Sequence, residues 1–299
     1  MAPERTTLRA LLDDEPPLRW LHDLLESLGS VVVAYSGGVD SSFLLVAARE
    51  ALGERARAVI GSSDSIDRGE LESALELAGR LGIPVEVIET REFDNPDYRR
   101  NDPSRCYHCK TELFSVLRTY ADREGIRWVL DGSHTGDVGD YRPGLKARDE
   151  QKVRSPLLEA GLGKEDIRRY SRRLGLPTWD KPAAPCLSSR VPYGSEVTGE
   201  KLRAIEAAEK CLRDLGFRIV RVRHHGEVAR IEVPAPDLPR LLDPSTLAAV
   251  TEGVRRAGFL YVTVDLEGFR SGSLNRSLGD AALVQVEPAR PGASGAGSA

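Results

Sequence analysis

No stretch of this chain is apolar for long enough to cross a bilayer, and its first residues lack the basic, apolar and small-residue order of a secretory signal. A membrane role is not indicated, and a cytoplasmic protein is expected. Basic residues are not in excess. With 42 Lys and Arg against 46 Asp and Glu, the formal net charge is -4, whereas a protein whose main partner is a nucleic acid needs a basic surface. Cysteine is scarce: four in 299 residues cannot form a disulfide framework, so a reducing compartment with thiols free for chemistry is implied. Internal repeats are absent. What remains is an ordinary globular composition, 40% hydrophobic and 29% charged, long enough for one large α/β domain and a smaller one.

The hydrophobic pattern supports that division. Residues 18–28 carry apolar positions at helical spacing, and the short run 31–35 reads as a buried strand. A helix from about Asp40, a strand over 56–60, a helix near 69–81 and a strand over 85–88 follow. After a polar loop come a helix near 111–123 and a strand over 127–130. Strands alternating with helices predict a parallel sheet covered on both faces, with its site in the loops at the carboxyl ends of the strands. A loop rich in Pro and Gly, residues 177–199, then leads to a helix over 200–215, a hairpin from strands over 217–224 and 227–233, and a last strand over 260–266. The expected domains are residues 1–185, an α+β domain over 186–286, and a disordered tail over 287–299.

Ser36-Gly37-Gly38-Val39-Asp40-Ser41-Ser42 lies between the first strand and a helix. At such a junction backbone N–H groups and the helix dipole attract an anion, and two glycines let it approach closely. A plain strand-to-helix turn capped by Ser or Asp is the simpler alternative. No lysine follows the glycines, so a Walker loop is excluded. The string resembles the S-G-G-x-D-S signature of the PP-loop ATP pyrophosphatases, which cleave ATP between its α and β phosphates and transfer AMP to a substrate oxygen. That resemblance implies that Ser36, Gly37, Gly38, Asp40, Ser41 and Ser42 hold pyrophosphate, with Asp40 near magnesium. It also implies that Ser62, Ser63 and Gly132 lie where adenine and ribose bind.

Cys106 and Cys109 form a C-x-x-C at the start of a helix, where a thiol pKa falls, and Cys186 follows Pro185 in an irregular loop. Cys211 sits among Leu202, Ile205 and Leu215 on a helix and reads as core. For the other three, zinc would want a fourth ligand, and His108 lies awkwardly between its partners. A redox disulfide would leave Cys186 idle. Three thiolates with one open iron suit a [4Fe-4S] cluster, provided Cys186 folds back onto the first domain.

Together the segments AYSGGVDSS, SRCYHCK, DYRPG, CLSSRVPYG and YVTVDLEGFRSGSLN, spread over residues 31–276, resemble the LarE family of sulfur insertases. The resemblance implies a PP-loop domain, an adenine nucleotide α-hydrolase-like α/β fold, followed by a smaller α+β domain. It also implies ATP-dependent conversion of the carboxylates of pyridinium-3,5-biscarboxylic acid mononucleotide to thiocarboxylates, in making the nickel-pincer cofactor of lactate racemase. Cys186 matches the sulfur-bearing cysteine. Members with that cysteine alone give up its sulfur and are left with dehydroalanine. Members with three hold a [4Fe-4S] cluster, so Cys106, Cys109 and Cys186 imply the cluster route, with ATP and Mg2+ as the other cofactors. Expected partners are the small mononucleotide, sulfide or a sulfur-donor protein, and further copies of the chain.

On the hairpin, Arg221 and Arg223 face one side and Arg230 is placed opposite Arg221, while Val220, Val222, Ala229 and Ile231 make the core face. Arginine forks suit a phosphate or carboxylate, against the simpler view of a solvated face neutralised by Glu232. The resemblance implies substrate binding by Arg190, Arg221 and Arg223. Glu209 and Glu232, with Asp265, are candidate ligands for a divalent cation. The adjacent His224 and His225 are assigned no chemistry. Competing functions are a PP-loop tRNA thiolase, disfavoured by the acidic balance; an amide-forming ligase, which leaves Cys186 unused; and a nucleotide-binding regulator.

Overall fold

Val31, Val32 and Val33 are fully buried, as a run apolar on both faces must be when helices cover both sides of a parallel sheet. The computed structural model describes residues 7–137 and 143–270. The first six residues, residues 140–142 of DYRPG, residues 271–276 of the last motif and the tail from 287 lie outside the described residues.

Helix α1 (Pro16–Leu28) leads into β1 (Val31–Ala34), α2 (Val39–Leu52), β2 (Ala56–Ser62), α3 (Arg68–Arg80) and β3 (Val85–Glu89). The chain then passes through α4 (Pro96–Arg99) and α5 (Arg105–Arg123) to β4 (Trp128–Leu130). The strands pair in parallel in the order β3-β2-β1-β4. Strand order therefore reverses at β1, between β2 on one side and β4 on the other. In an open α/β sheet the crevice at such a reversal receives the ligand. Val31 and Val33 pack among residues of α1, α2 and α8 (Lys164–Arg173), and Val32, Val59 and Val129 pack under Phe114 and Leu117 of α5.

Between β4 and the Pro- and Gly-rich loop stand α6 (Gly144–Glu150), α7 (Pro156–Glu159) and α8. The sequence pattern had indicated none of these. Their local signals are ends rather than periods: Glu165 and Asp166 in the first turn of α8 and Arg172 and Arg173 in its last complement its dipole. Helix α5 begins at Arg105, six residues before the expected start, so both C-x-x-C cysteines lie on its opening turns.

The second sheet has β5 (Arg221–His225) antiparallel to β6 (Val228–Glu232), and β6 parallel to β7 (Tyr261–Val264). Helices α9 (Gly199–Asp214), α10 (Leu238–Leu241) and α11 (Pro244–Arg256) accompany it. Val220, Val222, Ala229 and Ile231 are buried with Leu202, Ile205, Val250 and Val254 in a separate core, as the alternation predicted. The register differs from the prediction. Arg221 stands opposite Glu232 and Arg223 opposite Arg230, because the turn is Gly226-Glu227, with Gly226 at φ +66, one residue later than His225-Gly226. Tyr98 of α4, from the first half of the chain, is buried in this second core.

Candidate functional site

The chain leaves β1 at the strand reversal and turns at once. Gly37 has φ +68, and a Cβ there would lie 2.4 Å from the Cβ of Ala74 on α3, so neither the backbone nor the space admits a side chain. Gly38 caps α2, whose first turn contains Asp40, Ser41 and Ser42. The Ser36 N–H donates to Ser41 Oγ at 3.2 Å, and the two hydroxyls lie 3.0 Å apart. Gly132, just past β4, backs onto this turn: a Cβ would come within 3.1 Å of the Ser41 nitrogen and 3.3 Å of Asp40. The loop is thus held open at the N-terminus of a buried helix, where free N–H groups favour an anion.

Three basic or imidazole groups absent from the sequence-derived set surround it. Lys164, at the start of α8, donates to both Asp40 oxygens at 2.8 and 2.6 Å. Lys181 donates to the carbonyl of Gly37 at 3.1 Å and pairs with Glu70 at 2.7 Å. His134 accepts the Gly136 N–H at Nδ1, which assigns its proton to Nε2. That nitrogen lies 3.6 Å from Asp137 and 3.9 Å from Asp40. Neither lysine is close in sequence to the glycines, and only their acidic or prolyl neighbours would have marked them.

Ser63, just past the end of β2, donates to Glu92 Oε1 at 2.5 Å, and Ser65 donates to the same oxygen at 2.8 Å. Glu92 is buried, and among the described residues its Oε2 has no hydrogen-bond partner. The carbonyl of Ser65 in turn accepts the N–H of Leu187 at 2.8 Å. This bond brings the residue after Cys186 back to the carboxyl end of the first sheet.

Other bonds hold the cysteine loop in the same place. Tyr98 and Ser188 hydroxyls lie 2.7 Å apart, and Arg105 Nη1 donates to the Ser188 carbonyl at 2.8 Å. Asn101, fully buried and at φ +57, has its Nδ2 within hydrogen-bond distance of the carbonyls of Val191, Pro192 and Ser195 and accepts from Arg105. Arg105 belongs to the opening turn that carries Cys106. Burial opposes its charge, but the nearby Cys186 and Cys106 sulfurs outweigh burial and raise its pKa. Burial pushes the Cys109 thiol up, and the charges of Cys186, Glu92 and Cys106 push it further. Cys186 and Cys106 are therefore electrostatic neighbours of Arg105 and of Cys109, with Cys106 exposed and Cys186 half-buried.

Among the described residues, the one trio of His, Cys, Asp or Glu with ligand atoms mutually within 4.8 Å is His22, Asp23 and Glu26. At least one pair among the three sulfurs is thus more than 4.8 Å apart, farther than two thiolates on one tetrahedral zinc with bonds of about 2.3 Å. Cys211 stands apart, its Sγ packed against Gly253 of α11.

The arginines divide in two. Arg190 is buried and donates to both oxygens of Glu209 at 2.8 and 3.0 Å, while its Nη1 holds the carbonyls of Pro185 and Cys186. Arg223 makes the same fork to Glu232 and donates to the carbonyl of Ser189. Glu209 and Glu232, expected as cation ligands, instead spend their oxygens on guanidinium groups, with Val222 N–H and Arg230 as further donors. Asp265 lies 3.3 Å from Arg230. Arg221 differs, for among the described residues its hydrogen bonds go to the carbonyls of Val220 and Ala183 and to no carboxylate, and it lies over Phe269. Burial, with repulsion from Arg190, Arg223 and Arg213, lowers its pKa to about 10. A buried cation without a carboxylate fork is where an anionic ligand gains most.

Residues 18–100 match the NAD synthase family. An uncharacterized protein of Synechocystis sp. is 44% identical over 264 residues, 88% of this chain and 98% of that protein. The pyridinium-3,5-bisthiocarboxylic acid mononucleotide synthase of Lactiplantibacillus plantarum is 40% identical over 261 residues, 87% of this chain and 94% of that enzyme. An uncharacterized protein of Methanocaldococcus jannaschii is 28% identical over 241 residues, 81% of this chain and 91% of that protein.

Proposed function

The chain belongs to the LarE family of PP-loop enzymes, that of pyridinium-3,5-bisthiocarboxylic acid mononucleotide synthase, and from that premise we propose how its residues divide an ATP-dependent sulfur transfer. A carboxylate oxygen does not leave at neutral pH. Transfer of AMP from ATP to that oxygen releases pyrophosphate and forms a mixed anhydride. Attack by sulfur on the carbonyl carbon then expels AMP, with the original oxygen on it, and leaves a thiocarboxylate. The carboxylates are those of pyridinium-3,5-biscarboxylic acid mononucleotide.

The chain's own groups supply binding and orientation. Ser36 to Ser42 receive the pyrophosphate end of ATP at the α2 terminus, and Lys164 neutralises Asp40, which would hold the magnesium ion that accompanies the nucleotide. Ser63 and Gly132 flank the nucleoside side of the loop. Arg221 offers its guanidinium to the substrate's phosphate or second carboxylate, with Arg223 and Arg190 fixing the backbone on either side of Cys186.

The observation that carries this reading is the bond from Leu187 N–H to Ser65, which returns the Cys186 loop to the carboxyl end of the first sheet, with Cys186 and Cys106 within electrostatic reach of Cys109. The donor set fits an iron-sulfur cluster: three thiols, not all close enough for a single zinc, beside a buried Arg105 whose charge offsets that of Cys106 and Cys186. Cys106, Cys109 and Cys186 would hold a [4Fe-4S] cluster. When bound, it supplies sulfide, replenished by free sulfide or a donor protein.

The test is anaerobic incubation of protein purified with its iron, ATP and the biscarboxylic mononucleotide, followed by product and intact-mass analysis. Multiple thiocarboxylates per chain with Cys186 unchanged support the proposal. One transfer per chain, with Cys186 converted to dehydroalanine in iron-free protein, overturns the cluster route and leaves the sacrificial one. Cys186→Ala is expected to retain ATP-pyrophosphate exchange and to lose thiocarboxylate formation.

A further inference from the structure

The segment from Asp180 to Leu187 is tied down along its length. Arg218 pairs with Asp180 at 2.6 Å, Arg168 donates to the Lys181 carbonyl at 2.9 Å, and Arg221 donates to the Ala183 carbonyl at 2.5 Å. Arg190 holds the carbonyls of Pro185 and Cys186, and Ser65 holds Leu187. Two of the residues between Lys181 and Cys186 are proline, which fixes φ and takes slack out of the connection. Five residues span at most about 18 Å even when fully extended. Lys181 and Cys186 are therefore the two ends of one short, stiff strap.

The Lys181 end lies on the phosphate loop. Its ammonium donates to the Gly37 carbonyl and pairs with Glu70, a half-exposed residue in the first turn of α3. An ammonium has three donors, and a compact point charge is suited to phosphate oxygens. When an anion occupies the loop, Glu70 and phosphate compete for this charge.

We propose that Lys181 is a pyrophosphate-binding residue that positions Cys186: it exchanges Glu70 for the pyrophosphate end of ATP, and the strap carries that change to the cysteine. Arrival of nucleotide and readiness of the sulfur-bearing loop are thereby coupled through one side chain. The inference rests on the assignment of Ser36 to Ser42 as the ATP phosphate loop and adds the Lys181 link.

The test is calorimetric titration of the full chain with inorganic pyrophosphate and magnesium, alongside amide hydrogen exchange over residues 183–187. Wild type is expected to bind and to slow exchange in the strap. Lys181→Met should weaken binding by roughly tenfold or more and abolish the exchange response, while Lys181→Arg retains part of both. Glu70→Gln should tighten binding, a gain that a merely structural role for the pair would not give. Equal pyrophosphate affinity in folded Lys181→Met and wild type overturns the inference while leaving the loop assignment standing. Absence of pyrophosphate binding by wild type overturns both. Should Lys181→Met fail to fold, unchanged or weakened binding by Glu70→Gln overturns the Lys181 exchange.

Discussion

At the scale of single residues, Gly37 shows why the tight turn after β1 was legible from sequence. Its requirement is local: a left-handed φ of +68 and a turn too tight for a side chain. Gly37→Ala should destabilise the protein by about 2–4 kcal/mol, combining left-handed strain with the overlap at Ala74. In the double variant Gly37→Ala, Ala74→Gly the overlap is reduced and the strain remains, so part of the loss returns. A double-mutant cycle in urea measures that coupling; strict additivity would show that the contact with α3 carries none of the cost. The residues that sequence did not yield have no such local requirement. Lys164 and Lys181 reach the loop from 124 and 144 positions away, and Glu92 meets Ser63 across 29. Each reads as a solvated surface charge until the fold brings it to the loop. The C-x-x-C was visible, but Arg105 beside it was not, since an arginine opening a helix is ordinary until two other elements bury it.

At the scale of elements, the parallel sheet and its strand-helix alternation followed from the period of the apolar residues. Helices α6 to α8 did not, because they are short or, in the case of α8, show few apolar positions beyond Ile167 and Tyr170. The hairpin register turned on one residue. Placing the turn at Gly226-Glu227 sets Arg221 opposite Glu232 and lets Arg223 fork onto that carboxylate, so three arginines share one face without facing one another bare. The same economy joins the single 3-10 turn at Leu187–Arg190 to α9. Arg190 and Glu209 are both almost wholly buried, at 4% and 0% side-chain exposure, and removing one partner strands the other's charge. Glu209→Gln or Arg190→Met alone should cost about 3–5 kcal/mol, while Arg190→Met with Glu209→Met should recover most of it. Thermal or urea unfolding of the three variants checks this. A Glu209→Gln protein as stable as wild type would show that the pair does not hold the loop to α9.

At the scale of the whole molecule, the proposed active region is a joint between two cores, and its geometry depends on segments distant in sequence closing on one another. The loop from Cys186 to Val197 leaves the first sheet yet is returned to it by Ser65, Tyr98, Arg105 and Asn101, while Leu187, Val191 and Val197 enter the second core. Sequence motifs identified both ends of this arrangement but could not show that they meet. Asn101 is the hub, with Nδ2 within hydrogen-bond distance of three loop carbonyls and Oδ1 accepting from Arg105. Its φ of +57 is one that asparagine tolerates better than most residues. Asn101→Ala would leave buried carbonyls unpaired, strain the backbone and free Arg105, at a combined cost of about 2–4 kcal/mol. Asn101→Gly removes the same bonds without the backbone strain and so isolates the clamp. On the proposed cluster reading, both variants should lose iron on anaerobic gel filtration more readily than wild type, because Cys186 is no longer held beside Cys106 and Cys109, whereas ATP-pyrophosphate exchange at the loop after β1 should change little. Iron retained at the wild-type level in Asn101→Gly would mean that the cysteines hold their group without the clamp. Loss of pyrophosphate exchange together with iron would mean that the clamp supports the phosphate loop as well as the cysteine loop, and that the two half-sites are one cooperative unit.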